Sequence, residues 1–114
     1  MKYSLLQFKK LKINRGTHKV HIVSGSMEPW IGTNEVITVQ IASIDEVSPY
    51  DIVVFWENDI FICHILISKS HNSFQTKALA TNEFDDPIDN KYLLGKVVSP
   101  KFSWWQKVML RFLT

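Results

Sequence analysis

Six short runs rich in valine, isoleucine, phenylalanine and threonine dominate the middle of the chain and limit the folds open to it. These residue types favour the pleated surface of a β-sheet. Turn-forming residues lie between the runs. The runs are HKVHIVS, EVITVQI, DIVVFW, DIFICHILI, SFQTKAL and KYLLGKVV, at residues 18–24, 35–41, 51–56, 59–67, 73–79 and 91–98. The sequence therefore predicts a mostly β fold, a small antiparallel barrel or sandwich.

A chain of 114 residues is long enough for one core and too short for two, so we expect a single domain. The predicted β core covers residues 18–98, between a basic N-terminal segment (1–17) and a basic, aromatic C-terminal segment (99–114). Both end segments predict short amphipathic helices. Residues 57–59, where the third run gives way to the fourth, predict a hairpin turn.

Positive charge is concentrated at the two ends of the chain. Residues 1–20 and 99–114 hold nine Lys and Arg and no acid, whereas the segment between them carries a net charge of −7. This pattern indicates an anionic neighbour. With Trp104 and Trp105 among the basic residues, we expect peripheral association with a membrane surface, preferably the cytoplasmic face. The alternative is that the C-terminal helix packs its aromatic residues on the barrel.

Other partners and cofactors find little support in the sequence. A nucleic-acid partner is not expected, because no recognisable binding fold surrounds the aromatic pair. No apolar stretch reaches the ~20 residues of a membrane-spanning helix, and no cleavable signal peptide is predicted. The single cysteine, Cys63, excludes an internal disulfide and a Cys-rich zinc site. We expect Cys63 to pack into the core and predict no cofactor or metal.

The stretch VSGSMEPW, residues 23–30, places a glycine between two serines just after a predicted strand. It is either a surface turn or a serine nucleophile presented at the end of a strand. A serine nucleophile needs a neighbouring base to take its proton. Of the four histidines, His64 lies inside an apolar run, where its ring is costly to bury without a partner. Ser26 and His64 are therefore the candidate reactive pair.

The order of several motifs resembles the signal peptidase family. SGSMEP is followed by DIVVF, a histidine within an apolar strand, TK and DD, and finally LGKVV. The resemblance runs from residue 24 to about residue 98. Bacterial members have a lysine base in this strand, and the histidine here is similar to the type found in the endoplasmic reticulum and in archaea. The resemblance implies a β-barrel or sandwich of the signal peptidase type.

The resemblance also implies catalytic roles. Ser26 would be the nucleophile and His64 the general base, as in a Ser/His/Asp triad. Asp86 would orient the imidazole or stabilise its charge. The family block after the lysine differs in this chain, so Asp85 stays open as the alternative to Asp86.

Residues around the serine would complete the site by the same resemblance. The main-chain N–H of Ser26 and the hydroxyl of Ser24 would form the oxyanion hole. Gly25 would let the backbone pass close to the substrate, and Met27 would line the floor of the site.

The function implied is that of a serine endopeptidase that cleaves a signal, leader or precursor peptide. The alternative is a catalytically inactive, peptide-binding or membrane-associated module of the same fold. A self-cleaving repressor relative would need a lysine base and a DNA-binding domain, and neither is evident in the sequence.

Overall fold

The structure, a computed structural model, describes residues 2–22, 35–78 and 83–99. Within these ranges the strands are β1 (Thr17–Ile22), β2 (Glu35–Ile41), β3 (Ile52–Glu57), β4 (Ile60–Lys69), β5 (Ser73–Lys77), β6 (Ile88–Asp89) and β7 (Leu93–Ser99), and the helix α1 is Leu5–Ile13. The seven strands form one antiparallel sheet in the order β1-β2-β7-β3-β4-β5-β6. The sheet curls into a half-barrel in which β1 approaches β4. The predicted mostly β fold is confirmed.

Each of the six β-rich runs contains a strand of the sheet, and β6 is the strand that the sequence did not predict. The predicted hairpin is confirmed between β3 and β4, where Glu57 pairs with Ile60. Its two turn residues, Asn58 and Asp59, both have positive φ, as a type I′ turn requires. This tight turn aligns all of β3 with residues 60–65 of β4.

The sheet buries apolar side chains on both of its faces. Strict alternation along β4 sends Phe61, Cys63 and Ile65 into the larger core, inside the curl. That core consists of Phe8, Val20, Ile22, Ile37, Val39, Ile41, Ile52, Val54, Phe61, Cys63, Ile65 and Leu94. The smaller cluster consists of Ala42, Val47, Val53, Phe55, Leu66, Phe74 and Leu93. The strands at the centre of the sheet are therefore fixed by packing from both sides.

Helix α1 begins at a capping box. The backbone N–H of Gln7 donates to the Ser4 hydroxyl, and the Gln7 side chain accepts from the Ser4 backbone. Phe8 is buried and stacks on Trp56, with ring centroids 5.8 Å apart. The helix thus closes one end of the larger core with an aromatic side chain.

Tyr3 ties the start of α1 to the sheet through three hydrogen bonds. Its backbone N–H donates to the Asp59 carbonyl over 2.6 Å, and its carbonyl accepts from Trp56 Nε1 over 2.8 Å. Its hydroxyl accepts from the backbone N–H of His21 over 3.0 Å. The helix is therefore held against both β1 and the β3–β4 hairpin.

The predicted N-terminal helix is confirmed, but its apolar residues do not all face the core. Leu6 and Ile13 are 62% and 79% exposed, while Phe8 is buried. No helix in the described ranges is long and apolar enough to cross a membrane. Residues 100–114, which hold most of the predicted C-terminal helix, lie outside the described residues.

Gly95 on β7 allows β2 and β7 to pack closely. A Cβ atom at this position would lie 1.9 Å from the backbone oxygen of Gln40, which cannot move without disturbing β2. We expect Gly95→Ala to lower the free energy of unfolding by at least about 2 kcal/mol, measured by urea denaturation. The neighbouring Lys96→Ala is the control and should change it by about 0.5 kcal/mol or less. Equal stability of the two variants would contradict the close approach.

Candidate active site

His64 lies on the face of β4 opposite the larger core. Its neighbours Cys63 and Ile65 point into that core, so alternation directs the imidazole to the other side of the sheet. The His64 side chain is 12% exposed. Its ring meets the ring of Phe55 edge to face, with centroids 5.7 Å apart. The imidazole is thus largely removed from water and packed against an aromatic ring, a setting in which a polar partner has a strong effect.

Asp85 is that polar partner. The Nδ1–H of His64 donates to Asp85 Oδ2 over 2.5 Å. When the carboxylate is ionised it only accepts hydrogen bonds, so Nδ1 is then the donor, and in the neutral form of the ring Nε2 is the acceptor nitrogen. An imidazole in this tautomer is able to take a proton at Nε2. The two residues are 21 positions apart in the sequence and are brought together by the fold.

One backbone hydrogen bond and one side-chain hydrogen bond with β5 hold the Asp85 backbone in place. The Asp85 N–H donates to the Thr76 carbonyl over 2.8 Å, and Gln75 Nε2 donates to the Asp85 carbonyl over 3.0 Å. One residue earlier, Phe84 forms an isolated antiparallel bridge with Lys77. Residues 84 and 85 therefore run alongside β5, and from there the Asp85 carboxylate reaches His64 on β4.

The Thr76 side chain contacts the same carboxylate. Its hydroxyl donates to Asp85 Oδ2 over 2.6 Å, and the residue is fully buried. Asp85 Oδ2 therefore accepts from both Thr76 and His64. The sequence analysis gave no role to Thr76, because a threonine in a strand is an ordinary β-former. The one sequence feature that could have pointed to Thr76 is its position in the TK pair, ahead of the two aspartates.

The structure brings Asp85, not Asp86, to the imidazole. The sequence analysis preferred Asp86 for this place, with Asp85 as the alternative. Asp86 is exposed, whereas the Asp85 side chain is 32% exposed and faces His64. Successive side chains in an extended segment point to opposite sides. The hydrogen bonds of the Asp85 backbone with Thr76 and Gln75 orient this segment so that the side chain of Asp85, and not that of Asp86, points to His64.

Lys77 is a buried lysine near His64 to which sequence reasoning gave no role, and its pairing with Ile65 puts it on the face of the sheet opposite the imidazole. It is 4% exposed and pairs with Ile65 on β4, one residue from His64. Its Nζ donates to the Ala78 carbonyl over 3.2 Å. Because buried and exposed lysines look alike in a sequence, nothing in the TK dipeptide separated Lys77 from the surface lysines.

The predicted serine motif lies outside the described residues, and so do its supporting positions: Ser24, Gly25, Ser26 and Met27. The other histidines lie on other elements, His18 and His21 on β1 and His71 in the turn between β4 and β5. Within residues 2–22, 35–78 and 83–99, no three His, Cys, Asp or Glu side chains come together to hold a metal ion.

Comparison with known proteins adds no assignment to this geometry. The sequence matches no protein-family model, and it matches no curated protein. The candidate site is therefore judged on its own contacts.

The expected packing of Cys63 into the core is confirmed, and it makes a test of the face assignment possible. Burial raises the pKa of the Cys63 thiol well above its usual range, and the charge of Glu35 adds to the shift. Since the thiolate is the reactive form, we expect no reaction of the folded protein with Ellman's reagent at pH 8 and full reaction in denaturant.

Ser70→Cys provides the control for this experiment, because Ser70 is exposed in the turn after β4. The thiol introduced there should react at once in the folded protein. If native Cys63 reacted as fast as the new thiol, residue 63 would not face the core, and the orientation of His64 would be wrong.

Proposed function

We propose that this chain is a serine endopeptidase of the signal peptidase type that cleaves a signal, leader or precursor peptide. Ser26 is the nucleophile, His64 the general base and Asp85 the carboxylate behind it. The observation that carries the proposal is the hydrogen bond between His64 Nδ1 and Asp85 Oδ2. In such an arrangement, the carboxylate orients the imidazole and stabilises the imidazolium that forms when serine gives up its proton.

The place of the serine motif in the chain supports this pairing. β1 ends at Ile22, four positions before Ser26. Ile22 is in the same core as Cys63 and Ile65, which brings the end of β1 close to β4, while the imidazole of His64 lies on the other face of that strand. Four residues span at most ~14 Å, so the proposal requires the hydroxyl of Ser26 to meet His64 within that reach of the end of β1.

The sheet also offers a way to bind a peptide. β1 stands at one end of the strand order, where an extended segment can add to a sheet through main-chain hydrogen bonds. A peptide bound in this way presents its backbone carbonyls in a regular row beside the strand that leads to Ser26. This arrangement suits an endopeptidase acting on unfolded leader or precursor segments.

Substitutions at four positions test the assignment in a peptide cleavage assay with candidate leader and precursor peptides. We expect Ser26→Ala and His64→Ala each to lower kcat by about a thousandfold or more. Asp85→Asn should lower it by roughly a hundredfold to ten-thousandfold, because the amide favours the wrong tautomer of His64. Asp86→Asn, the matched control, should stay close to the wild-type rate.

Full activity in Ser26→Ala or His64→Ala would refute the pair. Loss of activity in Asp86→Asn with none in Asp85→Asn would reverse the choice of carboxylate. A folded protein that binds these peptides without cleaving them would instead support the non-catalytic peptide-binding module.

The outer side of α1 supports a second part of the proposal, peripheral binding to an anionic membrane surface. Leu6, Lys9, Lys10 and Ile13 share one side of the helix by their spacing, and all four are exposed. Exposed aliphatic side chains flanked by lysines suit the interface between lipid headgroups and acyl chains. The basic residues of 1–20 and 99–114 would add to this attraction, which favours the anionic cytoplasmic leaflet.

Vesicle flotation tests the membrane surface. The protein should bind vesicles of phosphatidylcholine and phosphatidylserine and should not bind phosphatidylcholine alone. Replacing Lys9 and Lys10 together by Gln should weaken binding about thirtyfold, from ~1 kcal/mol per charge. Leu6→Ser should also weaken it, whereas Val36→Ser, at an exposed aliphatic on β2, should not. Equal binding by all of these variants would rule out α1 as the contact.

A further inference from the structure

We propose that Thr76 is a positioning residue of the candidate active site, acting on His64 through Asp85. The inference rests on the proposed function, because it assigns a role within that site. The proposed role involves only Thr76, Asp85 and His64. The hydroxyl of Thr76 fixes the rotation of the carboxylate that in turn fixes the imidazole.

The first support is that the Thr76 hydroxyl and the imidazole share one carboxylate oxygen. Thr76 Oγ1 donates to Asp85 Oδ2 over 2.6 Å, and His64 Nδ1 donates to the same atom over 2.5 Å. Two donors on one oxygen define the plane of the carboxylate. A carboxylate held only by His64 would be able to turn about its Cβ–Cγ bond.

The second support is the rigidity of Thr76 itself. The residue is fully buried and lies on β5 directly opposite Leu66 of β4. A β-branched side chain in a strand has restricted χ1, so the hydroxyl direction follows from the backbone. Because a buried hydroxyl without a partner is costly, the bond to Asp85 also stabilises this rotamer.

The third support is that Thr76 holds Asp85 twice. Besides the hydroxyl contact, the Thr76 carbonyl accepts the backbone N–H of Asp85 over 2.8 Å. The backbone bond sets the position of residue 85, and the hydroxyl sets the direction of its side chain. Because β5 is paired with β4 in a fixed register, these two bonds fix the position of the Asp85 carboxylate relative to His64.

The consequence for the reaction concerns the step in which His64 takes a proton. At that moment the ring gains a positive charge, so the Nδ1–H···Oδ2 bond joins two opposite charges and is at its strongest, and misalignment of the carboxylate matters most there. Peptide binding makes no use of this bond. Loss of the Thr76 hydroxyl should therefore lower kcat and leave KM unchanged.

Thr76→Val removes the hydroxyl at nearly constant volume, and Thr76→Ser keeps it. We expect kcat for peptide cleavage to fall about tenfold in Thr76→Val, as for the loss of one hydrogen bond, and to recover in Thr76→Ser. In an Asp85→Asn background, Thr76→Val should have no further effect, since the two residues act through one contact. Thr38→Val, a half-buried threonine on β2, is the matched control for a threonine-to-valine change in a strand.

A purely structural role for Thr76 predicts a different result. Thr76→Val would then lower the free energy of unfolding, and its effect on kcat would add to that of Asp85→Asn. Such additivity, or a change confined to KM, would overturn the inference.

A spectroscopic measurement keeps the inference separate from the proposed function. The Nδ1 proton of His64 should give a sharp, low-field proton resonance in the wild type and in Thr76→Ser, because it is hydrogen-bonded to a fixed carboxylate. In Thr76→Val it should broaden or move to higher field. If the protein cleaves no peptide, the proposed function fails, but this signal still decides the role of Thr76. An identical resonance in Thr76→Val and the wild type would overturn it.

Discussion

The pairing of β4 along both of its edges is the constraint on which the site depends. β3 is aligned to β4 by a two-residue turn, and β5 is aligned to its other edge. A shift of one residue would turn His64 into the larger core and Cys63 out of it. Burying the imidazole among aliphatic residues and exposing the core side chains of β4 would both be costly. The same packing that stabilises the sheet therefore selects the face on which the imidazole lies.

Most of the fold follows from the pattern of residues. Runs such as EVITVQI alternate or concentrate β-forming side chains, and the residues between them form turns, so strand positions were predictable to within a few residues. β6 was not predictable, because Ile88 and Asp89 alone make no pattern, and their pairing with β5 depends on how the chain returns. The inner and outer sides of α1 were not predictable either. Phe8 turns inward because Trp56 and Phe61 lie there, and neither residue is near it in the sequence.

The candidate site was predictable in part. His64 stands out because a histidine in an apolar strand needs a partner, and the fold supplies one. The choice between Asp85 and Asp86 was beyond the sequence, since adjacent carboxylates in one extended segment differ only in the side to which they point. That side is set by contacts with Thr76 and Gln75, which are tertiary. For Thr76 the sequence offers only its position ahead of the DD pair, because the contact of its hydroxyl with Asp85 forms only in the folded chain.

The three hydrogen bonds at Tyr3 have a consequence for orientation. They join the beginning of α1 to β1 and to the β3–β4 hairpin, so the helix axis has a set direction relative to the sheet. If a planar surface bound α1, it would therefore also fix the tilt of the sheet relative to that surface. An extended peptide segment that leaves the surface would then reach the edge of β1 at a constant angle and at a constant distance from the surface. A helix held by such a surface would leave the sheet free to move only within the plane of the surface, so it would serve to align the sheet with an incoming segment.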